Sequence, residues 1–336
     1  MRKIIPLLLA CALLLGGCAS GQMKKYTATY LDLFDTVTTV VGMANDEASF
    51  QHQALAIHDQ LLEYHQLFDI YNTYPGLANL KTVNDSAGIA PVRVDSRILQ
   101  LLSDCKEFYA ATGGKVNVAM GSVLQLWHDQ RTQALEEPAA AALPDGAALA
   151  EAALHCDITQ VILDENASTV YLADPALRLD VGAVAKGWAV AQVAKTAPDG
   201  LLLNVGGNIC ATGAKDAQGN PWVVGVQDPD DSGNYLQKLQ IRDLSVVTSG
   251  DYQRCYRVDG ESYHHIIDPQ THYPAKLWRS VTVICPDSGV ADALSTALFL
   301  MPRQQGQQLL DRFDAHAMWV DGQGQIFYSP GFRDFL

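Results

Sequence analysis

The sequence lacks an excess of positive charge. Lysine and arginine number 23 against 37 aspartate and glutamate residues, so the formal net charge is −14. Nucleic acids and anionic lipid surfaces are bound through clustered lysine and arginine side chains. The composition therefore argues against both as partners, and a polyanionic ligand would have to be held by local groups.

Cysteine pairs at metal-ligand spacing are missing, and so is an apolar run of membrane-spanning length. The chain has seven cysteines. If Cys11 and Cys18 belong to an N-terminal export segment, the five that remain indicate neither a disulfide framework nor a zinc site. We expect these five to be buried free thiols. The apolar run at residues 4–17 is shorter than the roughly 20 residues that a bilayer needs.

The N-terminus has the order of features found in a lipoprotein signal peptide. A basic dipeptide precedes the apolar run, and two glycines precede Cys18. In such a signal the cysteine is lipidated and becomes the first residue of the mature protein; the alternative is a plain secretory signal, with Cys18 an ordinary residue beyond the cleavage site. We predict a signal peptide at 1–17, a lipid-anchored linker at 18–25 and a folded domain at 26–336, on the extracytoplasmic face of a cell membrane.

Strand and helix patterns are interspersed without a regular βαβ rhythm. Alternating residues at 26–43 predict a hairpin, and apolar residues at helical spacing predict a helix over 47–68. Further predicted elements are a helix that starts at Asp95 or Ser96, two short helices within 133–154, three strands within 158–180 and a helix over 182–197. The strands cluster in hairpins, and no Pro-, Gly- or Ser-rich linker divides the chain. We therefore predict an α+β fold with mostly antiparallel sheets and packed helices.

The stretch LDVGAVAKGW, residues 179–188, joins a predicted strand to a predicted helix. A glycine before a helix start exposes backbone N–H groups and the positive end of the helix dipole, which favour a phosphate. Lys186 can add a point charge for an anionic group, and Asp180 can bind a donor of the ligand. A capping aspartate with a solvated lysine is the alternative. These residues alone leave both interpretations open.

Asp292 and Thr296 are four residues apart in the predicted helix GVADALSTALF. This spacing puts both side chains on one face, where a carboxylate and a hydroxyl suit a hard cation such as Mg²⁺. The alternative is a capping aspartate and a threonine that bonds back to its own helix. His264 and His265 are adjacent in a predicted strand, so we expect only one of them to face a site.

Five segments occur in the order LDVGAVAKGWAV, NVGGNI, TSGDY, HHIIDPQTHYPA and ADALSTALF. Their order and separation resemble the ApbE family of FAD:protein FMN transferases, from about Tyr26 to the C-terminus. The resemblance implies a single large, T-fold-like domain of two intimate lobes. It also implies transfer of the FMN half of FAD to a threonine or serine hydroxyl of a partner protein, with release of AMP and a requirement for Mg²⁺.

The resemblance further implies roles for individual residues. His265 matches the proposed general base. The backbone carbonyl of Ala183 matches a metal ligand, together with the side chains of Asp292 and Thr296. Contacts to the flavin nucleotide would come from Phe34, Tyr71, Lys115, Val116, Asn117, Asp180, Lys186 and Ile266.

Four positions depart from the pattern of the family that the chain resembles. Phe34 replaces a common methionine near the flavin ring. Val116 and Asn117 replace a Phe-Asp pair, so side-chain roles there do not carry over directly. His272 stands where a turn usually has glycine, which affects the geometry of the turn rather than the chemistry.

Two other functions are alternatives, and the first of them, an enzyme, would use the same residues. A Mg²⁺-dependent FAD pyrophosphatase would pass the FMN to water, and a non-catalytic flavin-binding lipoprotein would hold the ligand without turnover. The second of these needs neither the Asp292–Thr296 pair nor a base at His265. The chain itself shows no convincing acceptor hydroxyl in a DGxTxAT-like context, so we expect the acceptor to be another protein at the cell surface.

Overall fold

An antiparallel sheet of eight strands organises the computed structural model, which describes residues 23–231 and 233–336. The order in this sheet is β1-β2-β6-β7-β10-β13-β14-β15, and each neighbouring pair is antiparallel. Two two-stranded sheets and one three-stranded sheet accompany it. The strands are β1 (Lys24–Leu33), β2 (Thr36–Ala44), β3 (Val92–Arg93), β4 (Val161–Asp164), β5 (Thr169–Leu172), β6 (Leu201–Val205), β7 (Asn208–Ala211), β8 (Trp222–Gln227), β9 (Tyr235–Ile241), β10 (Ser245–Gly250), β11 (Tyr256–Val258), β12 (Glu261–Tyr263), β13 (Ser280–Cys285), β14 (His316–Val320) and β15 (Ile326–Tyr328).

Helices cover one face of the large sheet, and the β8–β9 hairpin covers the other. On β13, for example, Val283 belongs to the core cluster shared with the helices, whereas Ile284 belongs to the cluster under the hairpin. Because successive strand residues point to opposite faces, covering both faces buries all six residues of β13. The helices are α1 (Glu47–Phe68), α2 (Leu80–Asp85), α3 (Ser96–Ala111), α4 (Gly121–Glu136), α5 (Gly146–Ala153), α6 (Ala185–Ala194), α7 (Ser288–Phe299) and α8 (Arg303–Leu310).

A smaller apolar cluster joins α4 and α5 to the β11–β12 hairpin. It contains Trp127, Tyr256 and Ile267 among its buried residues. The indole Nε1 of Trp127 donates to the carbonyl of His272 at 2.9 Å. This cluster therefore fixes the HHIIDPQTHYPA segment against α4.

The fold confirms the predicted class and several predicted elements. Antiparallel strands with packed helices form the domain, α1 has the predicted bounds of 47–68, and the 26–43 hairpin is β1 and β2. Asp95 caps α3, because its carboxylate accepts from the N–H of Arg97. These elements are long or carry a local capping signal, and their sequence patterns are strong for that reason.

The third strand predicted within 158–180 is wrong. After β4 and β5, the segment before Asp180 forms a single isolated bridge, between Met120 and Arg178. The backbone of Leu179 is paired with a side chain instead of a strand: Asn84 Nδ2 donates to its carbonyl, and its N–H donates to Asn84 Oδ1. A buried amide thus replaces the strand partner that the apolar pattern suggested.

Two helix predictions also need correction. The helix predicted over 182–197 begins at Ala185 and ends at Ala194, because the N–H of Gly182 is held by Asp180 Oδ1 and the backbone of Val184 is not helical. Of the two short helices expected within 133–154, only α5 is an α-helix. The other is a 3₁₀ turn at Pro138–Ala140 that follows the end of α4.

The five cysteines in the described ranges are free thiols, as expected. Cys105, Cys210 and Cys285 are buried, but Cys156 and Cys255 are only partly buried. Cys18 and its predicted lipid lie outside the described residues. Among the helices that the structure describes, none is long and apolar enough to cross a membrane.

Candidate active site at the crossing of two helices

Helices α6 and α7 approach each other so closely at Gly187 that no side chain fits there. A Cβ atom at this position would lie 2.3 Å from the carbonyl oxygen of Ser288 and 2.4 Å from Cβ of Asp292. The close approach lets the N–H of Gly187 donate to Asp292 Oδ2 at 2.8 Å. Glycine at 187 is therefore a requirement of the helix crossing.

The backbone carbonyl of Ala183 lies just before α6. The helix begins at Ala185 with Val184 as its N-cap, so the carbonyl of Val184 is the first to accept a helical hydrogen bond, from Trp188. The N–H of Gly187 is one of the first four N–H groups, which have no acceptor within a helix, and Asp292 satisfies it. The Ala183 carbonyl accepts no backbone hydrogen bond in the described part of the chain, so it is available to another partner, such as a cation.

Asp292 and Thr296 present oxygen atoms at the same crossing. Asp292 is 5% exposed, and its Oδ2 also accepts from Asn208 Nδ2 at 2.8 Å. Neither Asp292 Oδ1 nor the Thr296 hydroxyl has a hydrogen bond within residues 23–231 and 233–336. The residue that caps α7 is Asp287 and not Asp292, and the Thr296 hydroxyl makes no hydrogen bond to its own helix. The alternative of a capping aspartate and a back-bonded threonine is therefore wrong.

The oxygen atoms at this crossing fit a hard cation. A carboxylate, a hydroxyl and a backbone carbonyl are ligands that suit Mg²⁺, which also keeps places for water and phosphate. Within the described ranges no cluster of three or more His, Cys, Asp or Glu side chains could hold a metal. The candidate at Ala183, Asp292 and Thr296 differs from such a cluster, because two of its three ligands are uncharged oxygens.

Two of the sequence motifs hold α7 in place. Asn208 comes from NVGGNI and binds Asp292. Ser249, from TSGDY on the central strand β10, lies 2.9 Å from the hydroxyl of Ser295, and Ser295 donates to the carbonyl of Asp292 at 2.9 Å. These contacts fix the rotation of α7, which decides where Asp292 and Thr296 point.

Lys186 and Asp180 lie at the start of α6. The ammonium of Lys186 is 3.8 Å from Asp292 Oδ2 and donates to the carbonyl of Gly182 at 3.1 Å. Asp180 does not cap the helix, because the N-cap position is occupied by Val184, so that alternative is also wrong. Burial raises the pKa of Asp180, and nearby positive charges, Lys186 among them, oppose this rise.

His265 has a free ring nitrogen. It follows β12, and its Nδ1 lies 3.2 Å from the carbonyl of Gln253. Since a carbonyl only accepts, Nδ1 carries the proton, and the lone pair of Nε2 is left for a substrate. The ring of His265 is in contact with solvent. Partial desolvation of the ring by the surrounding protein, and then the positive charge of Arg254, hold the pKa of His265 well below its usual range. His265 is therefore a neutral base.

His264 faces the core. Its Nε2 donates to the carbonyl of Ala275 at 2.7 Å, its Nδ1 accepts from the N–H of Ile266 at 3.1 Å, and its ring packs edge-on against Phe299 of α7. The two histidines thus have different surroundings, as expected. The expected cause was that adjacent residues of a strand point to opposite sides. This cause is wrong, because β12 ends at Tyr263 and both rings lie in the loop after it.

The side chains of the 115–117 loop are committed to protein contacts. Lys115 Nζ lies 3.2 Å from both carboxylate oxygens of Asp268. Val116 is buried, and Asn117 donates to the carbonyl of Cys156 and accepts from the N–H of Ala119. The predicted nucleotide contacts of these three residues stay predictions.

Phe34, Tyr71 and Ile266 lie in three different segments. Phe34 is in the β1–β2 turn, and Ile266 is buried. Tyr71 is 51% exposed and stacks on His128 with ring centroids 5.1 Å apart. The protein that partly surrounds the phenol, and then the charge of Asp180, raise the pKa of Tyr71 to about 12. Their contacts to a nucleotide stay predictions.

Sequence reasoning missed a group of basic residues beside Tyr71. Arg131 lies 3.4 Å from His128 Nδ1, and Arg254 donates to the carbonyl of Asp35 at 3.4 Å. Burial and then the charge of Arg254 lower the pKa of Arg131. Both arginines can supply positive charge to an anionic substrate. Arg254 follows the TSGDY motif closely, which is a usable signal, whereas nothing in the α4 sequence distinguishes His128 and Arg131 from surface residues.

The turn at His272 keeps the geometry that glycine would give. His272 has a φ of 62°, in the left-handed region, and its N–H donates to the carbonyl of Asp268 at 2.8 Å. The bond from Trp127 to the His272 carbonyl supports this strained conformation. The departure from glycine therefore leaves the fold of the turn intact.

Comparisons with known proteins show the family and support the fold. A family model described as the ApbE family matches residues 34–319. The FAD:protein FMN transferase of Treponema pallidum is 35% identical, over 95% of this chain and 91% of the relative, and one from Klebsiella pneumoniae is 30% identical, over 81% and 86%. The ApbE protein of Thermotoga maritima superposes with a TM-score of 0.82 at 28% identity, over 93% of this chain and 99% of the other. The flavin transferase ApbE of Vibrio cholerae, at 22% identity and a TM-score of 0.77, covers 94% of this chain and 100% of its own and supports the fold.

Proposed function

The chain belongs to the ApbE family, and on this premise we propose that it transfers the FMN half of FAD to a threonine or serine hydroxyl of another protein, with release of AMP. Relatives that align over most of the chain are named FAD:protein FMN transferase. The chain is accordingly a flavin transferase, an enzyme that acts on FAD.

The α6–α7 crossing carries this proposal. Among the described residues, no group donates a hydrogen bond to the Ala183 carbonyl, to Oδ1 of Asp292 or to the Thr296 hydroxyl, and the ammonium of Lys186 lies 3.8 Å from Oδ2 of Asp292. A protein that only bound flavin would have no use for unpaired oxygen atoms next to a lysine. A metal-assisted reaction at a pyrophosphate uses both.

The proposed reaction is an attack of the acceptor hydroxyl on the phosphorus of the FMN half. A bond forms from the hydroxyl oxygen to this phosphorus, and the pyrophosphate bond to AMP breaks. Nε2 of His265 takes the hydroxyl proton, because its Nδ1 is held by Gln253. Lys186 stabilises negative charge on the phosphates. Mg²⁺ bound at Ala183, Asp292 and Thr296 would neutralise the charge that moves onto the leaving AMP.

We also propose that the protein is exported and attached to a membrane by a lipid at Cys18, where its acceptor protein would lie. The order of basic residues, apolar run and small residues before Cys18 supports this location. A bound Mg²⁺ would let an acidic chain hold a pyrophosphate, so the net charge of −14 does not oppose the proposal.

Incubation of the protein with FAD, Mg²⁺ and a cell-surface protein fraction tests the function. We expect a fluorescent flavin band in a denaturing gel and AMP in equal amount, and we expect both to disappear with a chelator. Free FMN without a labelled band would favour the pyrophosphatase. FAD that stays intact although it binds would favour a non-catalytic binding protein. Asp292→Asn is the matched control, because it keeps the size of the side chain and removes its charge.

A further inference from the structure

The turn between β1 and β2 has an unusual sequence for its conformation. Phe34 and Asp35 have φ values of 52° and 51°, and Leu33 pairs with Thr36 across the turn. A two-residue hairpin turn with both φ values positive normally contains glycine or asparagine. A bulky aromatic residue rarely adopts this left-handed conformation. Phe34 therefore needs contacts from elsewhere in the protein to keep it there.

A neighbouring turn shows the usual solution. Gly206 and Gly207 connect β6 to β7 with φ values of 57° and 92°. The two turns lie side by side, because β2 pairs with β6 and the N–H of Gly206 donates to the carbonyl of Val37 at 3.1 Å. The same edge of the sheet thus holds one turn that glycine makes easy and one that Phe34 makes difficult.

His65 of α1 supplies the main contact to Phe34. The N–H of Phe34 donates to His65 Nδ1 at 3.0 Å, and the two rings pack edge to face with centroids 5.5 Å apart. On the other side of the turn, Arg254 donates to the carbonyl of Asp35. The strained turn is therefore held between helix α1 and the segment that leads to His265.

A hydrogen-bond chain fixes the ring of His65. Since Nδ1 accepts from Phe34, Nε2 carries the proton, and it lies 3.3 Å from the hydroxyl of Tyr74. Tyr74 donates to Asp69 Oδ2 at 2.8 Å. Asp69 Oδ1 in turn accepts from the backbone N–H of Tyr71 at 2.7 Å. One chain of contacts thus links Phe34 to the segment that carries Tyr71.

We propose that His65 is a positioning residue for the flavin nucleotide: it holds Phe34 in the left-handed turn and, through Tyr74 and Asp69, couples that turn to Tyr71. The inference rests on the proposed function, because it requires Phe34 and Tyr71 to contact FAD. His65 itself does not touch the substrate in this account. Its role is to keep two distant aromatic side chains in one binding arrangement.

Three substitutions test the role of His65. His65→Leu removes the acceptor for the Phe34 N–H, whereas His65→Asn keeps one, because Oδ1 of asparagine reaches about where Nδ1 lies. His52→Leu is the matched control, since His52 is exposed on the same helix. The readouts are the Kd for FAD from flavin fluorescence without acceptor, KM and kcat. Each variant's Tm is measured as a check of folding.

We expect His65→Leu to raise the Kd and KM for FAD about 3- to 10-fold, the usual effect of losing one hydrogen bond. The kcat should change less than about 2-fold, because the α6–α7 crossing and His265 are untouched. His65→Asn should recover most of the affinity, and His52→Leu should change nothing. Equal losses in His65→Leu and His65→Asn, an unchanged Kd in His65→Leu, or a fall in kcat alone would each overturn the proposal.

A second-site change tests the conformational cause. Asp35→Gly lowers the cost of the left-handed turn and keeps the backbone carbonyl that Arg254 binds. Combined with His65→Leu, it should restore part of the lost affinity; no restoration would show that His65 acts in another way. The fluorescence assay needs no transfer, so binding that follows this pattern without flavin transfer would refute the proposed function and leave the positioning role standing.

Discussion

The two sides of the candidate active site are built differently. On one side, α6 and α7 cross at Gly187, Asp292 is buried, and α7 is held by hydrogen bonds from β7 and β10. On the other side, His265 and Arg254 lie in loops, and Phe34 lies in a strained turn. The helical side offers oxygen atoms and a lysine, and the loop side offers a base and aromatic rings.

This difference matches two different chemical demands. Groups that stabilise developing charge work best when they are fixed before the reaction, because they then need no reorganisation. A base that accepts a proton from another protein must remain accessible to that protein, and a ring-binding surface must open for the ligand. We therefore expect substitutions on the helical side to lower both kcat and stability. On the loop side, we expect substitutions of the base to lower kcat and those around the aromatic rings to weaken FAD binding.

Asp292→Ala is expected to have the largest effect. It removes the carboxylate of the candidate metal site and leaves the N–H of Gly187 and the amide of Asn208 without their partner. The loss of a metal ligand should lower kcat by about 10³- to 10⁵-fold. FAD affinity, measured by fluorescence, should fall far less. Full activity at saturating FAD and Mg²⁺ would show that this side of the site does not stabilise charge.

His265→Ala compares the loop side directly with the helical side. Loss of a positioned general base should lower kcat about 10²- to 10⁴-fold and leave the Kd for FAD near that of the wild type. Because its pKa is held low, His265 stays neutral in mild acid, so the wild-type rate should not fall from pH 7 to pH 5.5 through its protonation. A fall with an apparent pKa near 6.5 that His265→Ala abolishes would contradict this.

The neighbouring histidine provides the control for His265→Ala. His264→Ala should lower kcat much less, but it should lower the Tm, since the buried ring joins Ile266 to Ala275. Equal losses of kcat in the two variants would mean that the ring facing the core is also needed for the reaction itself.

Gly187→Ala tests the helix crossing without removing a polar group. The added methyl would meet Ser288 and Asp292 at 2.3 and 2.4 Å, so the helices must separate. We expect the free energy of unfolding to fall by about 1–3 kcal/mol, the usual cost of overpacking, and kcat to fall as well. Gly146→Ala is the control, because no atom lies within 4 Å of its Cβ position. A stable Gly187→Ala variant with full activity would refute the need for this close approach.

Lys115→Met should have the smallest effect. Its ammonium is occupied by Asp268, so we expect the Kd for FAD to rise less than about 3-fold and the stability to fall by about 1 kcal/mol, the value of a partly buried ion pair. Fluorescence titration and thermal unfolding measure the two quantities. A rise in Kd above 10-fold would show that the Lys115 side chain itself binds the nucleotide.

The sequence predicted the fold class and the helix face that carries Asp292 and Thr296, because helical spacing is a local property. It did not predict that the N–H of Gly187 would donate to Asp292, since that depends on how α6 crosses α7. It also assigned a strand to 177–180, where Asn84 supplies the backbone pairing from a distant helix. Contacts between elements far apart in sequence decided the features that the local pattern missed.

Strand β1 separates the Phe34 turn from the N-terminal end of the domain. It runs for ten residues, from Lys24 to Leu33, which precedes Phe34. At roughly 3.3 Å per residue, the start of the strand lies about 30 Å from the turn. Under the proposed attachment at Cys18, the anchor would pull on the far end of an edge strand and not on the catalytic groups. The length of this strand would then help to set how far from the membrane an acceptor must present its hydroxyl.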